Sequence, residues 1–361
     1  MKVRDLIMNR YSVLLILTIM IGTASAGQNP PFYQDKVNML TYIDAQGTSN
    51  PIEKAEDWPK RRTHILENMQ LVMGELPDRS NLPPLDIQII ETKTLDGVRL
   101  QKVTYLSEPG DRVPAYLLMP DELEGKAPAM LCLHQTTKIG KGEPAGLGGL
   151  PNLRYALELA QRGYVTLAPD YPNFGDYSFN PYENGYVSTT MKGIWNHMRA
   201  VDLLQSLPQV DAERVGSIGH SLGGHNTMYV AVFDERLKVL VSSCGFNSFF
   251  KYFGGDIGGW SHKGYMPRIF QVYKKDPSQM PFDFTEVVSA LAPRHFFVNA
   301  PLGDDNFEVS GVKDCIYAAN PVYDLLGVGD NLKAVYPDAQ HDFPPEIRRQ
   351  AYEFIDGVFK K

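Results

Sequence analysis

Gly219-His220-Ser221-Leu222-Gly223 is the segment of this chain best suited to covalent chemistry. Its G-x-S-x-G pattern puts a serine on a sharp turn between a strand and a helix. The apolar run 215–218 reads as that strand and 224–233 as that helix. Gly219 and Gly223 leave room for the turn because they carry no Cβ. A serine hydroxyl is a weak nucleophile until a base takes its proton. Only three of the eight histidines lie well beyond Ser221: His262, His295 and His341. His341 follows the apolar run 332–336 and precedes the last helical stretch, so it is the expected base. A carboxylate must then fix the imidazole tautomer. The loop Gly303-Asp304-Asp305-Asn306 follows the run 296–300; Asp304 is the first choice there and Asp305 the second. Asp338 and Asp342, beside His341, rank below them on loop position. An oxyanion needs preorganised N–H donors. Leu222 supplies one, and Thr136 or Gln135, after the run 129–133, the other. His134 reads as a structural hydrogen-bonding residue, and no metal site is expected.

Substrate contacts are sought on the loops that follow strands, where open α/β sheets bind ligands. Trp260, Tyr265 and Arg268 lie on one long segment, and Tyr171 on another with Asn173, Phe174 and Tyr177. Aromatic rings there could stack on sugar faces, and Arg268 could meet a carboxylate.

These residues need a scaffold. Residues 50–74 read as a helix with Pro51 in its first turn and Gly74 as its stop. Runs 86–95, 98–107 and 113–119 follow, separated by Asp96-Gly97 and Pro109-Gly110-Asp111, which signal hairpins. From residue 128 onwards, apolar strand-like runs alternate with helical ones, the pattern of a parallel sheet wrapped by helices. The Gly- and aromatic-rich stretch at about 245–293 breaks the alternation and reads as an insertion that walls or covers a pocket. The expectation is one domain, residues 27–361, built on a mostly parallel eight-stranded sheet. It carries an N-terminal antiparallel hairpin region and helices on both faces.

Residues 1–26 read as a leader. Lys2, Arg4 and Arg10 precede the apolar run 11–22, and Ala24-Ser25-Ala26 supplies the small residues of a cleavage site. The expected location is the periplasm or the outside medium, with no membrane attachment after cleavage. A net charge of −7 argues against nucleic acid as a partner. Three cysteines cannot all pair internally; Cys132 and Cys244 fall in apolar runs and read as buried, inert thiols. No Cys-x-x-Cys is present, so no zinc ribbon or thioredoxin site is indicated.

The chain resembles the dienelactone-hydrolase and acetyl-xylan-esterase branch of the α/β-hydrolases. The resemblance covers Met73-Gly74-Glu75-Leu76-Pro77, the hairpins, the elbow through Gly224, the Gly303–Asn306 loop and His341. It implies a cofactor-free, metal-independent esterase for small acyl groups, often on decorated sugars, with Asp304 as the acid. Catalytic domains similar to prolyl oligopeptidase share the elbow and the Asp-Asp-Asn loop. The chain departs from the branch at His134-Gln135, where many relatives have His-Gly, and at Leu222, where acetyl-xylan esterases often have Gln. Dienelactone hydrolases proper use cysteine where Ser221 stands.

The leading expectation is therefore an exported carboxylic ester hydrolase acting through an acyl-enzyme, with a small-molecule or carbohydrate ester as substrate. The alternatives are an exported peptidase of the prolyl-oligopeptidase type and a binding protein that kept the fold without catalysis. Only about 60 residues precede the first hairpin, too few for the β-propeller such peptidases carry.

Overall fold

The computed structural model describes residues 29–360, so the leader expected at 1–26 lies outside the described residues. The chain opens with a two-stranded hairpin, β1 (Thr41–Ile43) and β2 (Ser49–Pro51). Helix α1 follows at Trp58–Met73. It starts later than the expected residue 50 because Pro51 pairs with Thr41 in the hairpin. Pro59, which follows Trp58, fills the first helical turn instead, where its missing N–H costs nothing.

Nine strands form the main sheet, not eight. The antiparallel part is β3 (Gln88–Leu95), β4 (Val98–Glu108) and β5 (Asp111–Pro120). The parallel part is β6 (Ala127–Leu133), β7 (Val165–Pro169), β8 (Val210–His220), β9 (Leu237–Ser243), β10 (His295–Asn299) and β11 (Leu332–Val335). Their order is β11-β10-β9-β8-β6-β7-β5-β4-β3. β3, which falls in the expected run 86–95, is an almost wholly exposed edge that pairs with β4 alone.

Every residue of β6 is buried, because a parallel strand is covered on both faces. Its side chains still alternate. Ala129, Leu131 and Leu133 join one core with Met69 of α1 and Met228 of α4 (Leu222–Phe233). Met130 and Cys132 join a second core with Leu159 of α2 (Tyr155–Gln161) and Ile355 of α8 (Pro345–Phe359). Helices α3 (Thr189–Ser206), α5 (Arg268–Gln271), α6 (Phe284–Ala290) and α7 (Val309–Leu325) line the first face too. Two faces, each with its own core, hold the strand ends rigidly.

Strands β8, β9, β10 and β11 are neighbours and run parallel. Ser221, Asp304 and His341 follow β8, β10 and β11, so one end of this block presents all three.

Candidate active site

Ser221 lies between β8 and α4, as the N-cap of α4, with φ 53 and ψ −116, a backbone conformation that a residue with a Cβ seldom adopts. Such a conformation costs about 1–3 kcal/mol and persists only where the surroundings impose it. Here the Ser221 N–H donates to the Ser243 carbonyl at 2.8 Å, and its own carbonyl accepts from Gly224 and His225. The turn closes only because of the flanking glycines. A Cβ on Gly219 would strike the Gly223 backbone, and one on Gly223 would strike the Leu133 carbonyl.

The His341 Nδ1 lies 2.9 Å and 3.1 Å from the two carboxyl oxygens of Asp304. The Asp304 side chain is fully buried, whereas Asp305 is exposed. Burial pushes the Asp304 carboxyl up. The His341 imidazole and the N–H groups of Phe307 and Asn306 outweigh it, so the group stays below its ordinary value. Asp304 is thus held ionised, and its charge orients the proton of His341 towards itself. The His341 ring packs edge-on at 4.8 Å against His220, the residue just before Ser221. The structure therefore pairs His341 with Asp304 rather than with Asp305, Asp338 or Asp342, and sets the His341 ring beside the residue that precedes Ser221.

The loop after β6 is pinned by His134. Its Nε2 accepts from the Tyr171 N–H at 2.9 Å, which leaves the proton on Nδ1, 2.6 Å from the Gln135 carbonyl. The ring is buried and neutral, its pKa lowered by desolvation. Leu222 is the first residue of α4, and helix-start N–H groups lack intrahelical partners. Gly223 packs against Leu133 and His134, so the Gln135-Thr136 stretch begins beside that helix start. Gln135 is half-buried, its side-chain amide donating to Glu143 at 3.2 Å, while Thr136 is exposed and meets the Tyr265 hydroxyl.

Substrate contacts expected from sequence fare differently. Tyr265 is half-buried and stays beside the site, through Thr136 and the His225 ring at 5.5 Å. Trp260 is only 2% exposed, its ring enclosed by Phe249, Tyr252, Phe284, Phe307 and His225, so no sugar can stack on it. Trp260 instead joins the core that covers one face of the sheet, together with Phe249 and Phe284. Tyr171 is likewise buried, its hydroxyl donating to the Gly264 carbonyl at 3.1 Å. Arg268 donates to the Leu71 carbonyl of α1 at 2.9 Å and lines a groove with Glu67, whose walls do not include Ser221, Asp304 or His341. We expect Trp260→Ala to lower stability by about 3–5 kcal/mol, read in a denaturant melt, through the cavity it leaves. An unchanged melt with a raised KM would instead assign Trp260 to substrate.

Sequence reasoning missed a polar row beside the His341 ring. His220, Ser243 and Asn299 are in register at the ends of β8, β9 and β10. The His220 Nδ1 lies 2.9 Å from the Ser243 Oγ, which accepts from the Asn299 amide at 2.8 Å. The same amide donates to the Asp342 carbonyl at 2.9 Å, tying the His341 loop to the sheet. The signal was present as polar residues closing apolar strands. Cys132, Cys244 and Cys315 are free, buried thiols. Cys244 sits at φ 47 directly after β9, with its sulfur 3.4 Å from the Asp342 carbonyl.

This sheet, with its strained serine turn and its acid and histidine on the following strand ends, defines an α/β-hydrolase. The chain belongs to the prolyl oligopeptidase family, whose model matches residues 151–361. A second model, described as an abhydrolase family, matches residues 36–182. Among curated proteins, YtaP of Bacillus subtilis (strain 168), named as a hydrolase, is 25% identical over 298 residues. That match covers 79% of this chain and 95% of YtaP. The fold is similar to a glucuronoyl esterase from Solibacter usitatus, with a TM-score of 0.68, 20% identity, and 90% and 98% of the two chains covered. It is also similar to an acetyl xylan esterase from Paenibacillus sp. R4, with a TM-score of 0.56, 19% identity, and 81% and 99% covered.

Proposed function

We propose that this protein is an exported serine esterase that cleaves carboxylic esters of carbohydrates through an acyl-enzyme. The observation that carries the reading is the buried, ionised Asp304 holding the His341 ring beside a serine on a strained turn. Ser221 attacks the ester carbonyl while His341 takes its proton. The tetrahedral oxyanion forms against the Leu222 N–H and a donor on the Gln135-Thr136 stretch, with the positive end of α4 behind it. His341 then returns the proton to the leaving alcohol, and water repeats the cycle on the acyl-enzyme.

The surface beside the site suits a sugar. A cavity of about 340 Å³ lined by Thr136, Lys138, Asn173 and Phe174 adjoins the oxyanion loop. A larger groove of about 780 Å³ shares Asn173 and Phe174 and adds Phe179 and Tyr182. Mixed polar and aromatic walls match a ring with hydroxyls on its edge and C–H groups on its faces. The similarity to glucuronoyl and acetyl xylan esterases supports the same class. The leader-like pattern of residues 1–26 supports export.

The test is a panel of p-nitrophenyl esters from acetate to octanoate, together with a benzyl ester of glucuronic acid and peptide–aminocoumarins. Turnover of acetate with steep loss for longer chains is expected. Fast cleavage of the glucuronate ester alone would place the sugar on the acyl side. Faster cleavage of peptides than of any ester would replace this reading with a peptidase, the activity its family is named for.

A further inference from the structure

We propose that His220, Cys244 and His341 form an inhibitory site for a thiophilic divalent cation of the Zn²⁺ type. Each residue offers one ligand atom, and the three atoms lie within 4.8 Å of one another. Tetrahedral zinc with two nitrogens and one sulfur needs donors about 3.5 Å apart, which small ring rotations supply. The fourth position is open to water, as in many zinc sites.

Three observations point to a ligand here. The His220 Nε2 is buried and has no hydrogen-bond partner, a costly state for a ring nitrogen. Its Nδ1 is engaged by Ser243, the outer bond that fixes an imidazole for metal binding. Asp304 adds negative charge beside the site, and the part-exposed His341 ring gives the way in.

On binding, the Cys244 S–H bond breaks and its proton passes to solvent. The thiolate sulfur and two ring nitrogens donate lone pairs to the cation, and nothing is oxidised or reduced. Whichever nitrogen of His341 is taken, the triad loses it: Nδ1 holds Asp304 and the other must accept the serine proton. The inhibition therefore rests on the reading of His341 as base; the binding does not.

Co²⁺ titrated into the full protein is the probe. A thiolate-to-cobalt charge-transfer band is expected, and is expected to vanish in Cys244→Ser. Zn²⁺ should slow fluorophosphonate labelling of Ser221 by at least about tenfold, EDTA should restore it, and Cys244→Ser should be insensitive. If Cys244→Ser does not fold, His220→Gln carries the same comparison. Absence of the band, or equal zinc inhibition of a folded variant, overturns the site. A band in a protein that hydrolyses no ester keeps the metal site and removes the esterase reading; ester hydrolysis without a band does the reverse.

Discussion

Ser221→Ala is expected to lower kcat by about 10⁶-fold and leave the melting temperature nearly unchanged. The substitution removes one oxygen, the atom that forms the acyl-enzyme. Alanine has the same Cβ as serine, so the turn at φ 53 is no more strained than before. The Ser221 backbone keeps its bonds to Ser243, Gly224 and His225. Only the N–H donors and substrate binding remain to help bulk water, a residue of catalysis near the detection limit. Steady-state ester hydrolysis beside a circular-dichroism melt measures both quantities. A folded variant that retains more than about a tenth of wild-type turnover would remove Ser221 from the mechanism.

The second large effect separates the twin aspartates. Asp304→Asn is expected to cost about 10⁴-fold in kcat, or about 5.5 kcal/mol of transition-state stabilisation. The asparagine carbonyl oxygen can still accept from the Asn306 and Phe307 N–H groups, which hold Asp304 at 2.9 and 3.0 Å. Its amide would then donate to the His341 Nδ1. That reverses the tautomer and puts the proton on the nitrogen that should receive one from serine. Asp305→Asn, at an exposed position, should stay within about twofold of wild type. Equal losses in the two variants would break the assignment of Asp304.

What the sequence made legible follows from the range of each interaction. The elbow is local: two glycines, a strand and a helix within about 20 residues announce it. His341 and Asp304 could be placed because each closes a short apolar run, and the chain order narrowed the choice. Even the exposed edge strand β3 could be read, because the Asp96-Gly97 turn marks where the run 86–95 ends. Trp260 misled because aromatic composition does not say which way a ring faces; only the packing of Phe249, Phe284 and Phe307 decides that. The row of His220, Ser243 and Asn299 depends on the register of three strands far apart in the chain. No local pattern carries register across such distances.

The bend at Ser221 also bears on how such a chain can change over generations. Glycine at 221 would relax a turn held at a cost of about 1–3 kcal/mol, and would give back only about 1 kcal/mol in chain entropy. A population screened for heat tolerance alone would drift towards that glycine, because stabilising changes are easy to find where function has kept a site off its optimum. Durable variants of this scaffold must therefore collect their stability elsewhere, for instance along the exposed β3 edge, where Ile89 and Ile90 face solvent.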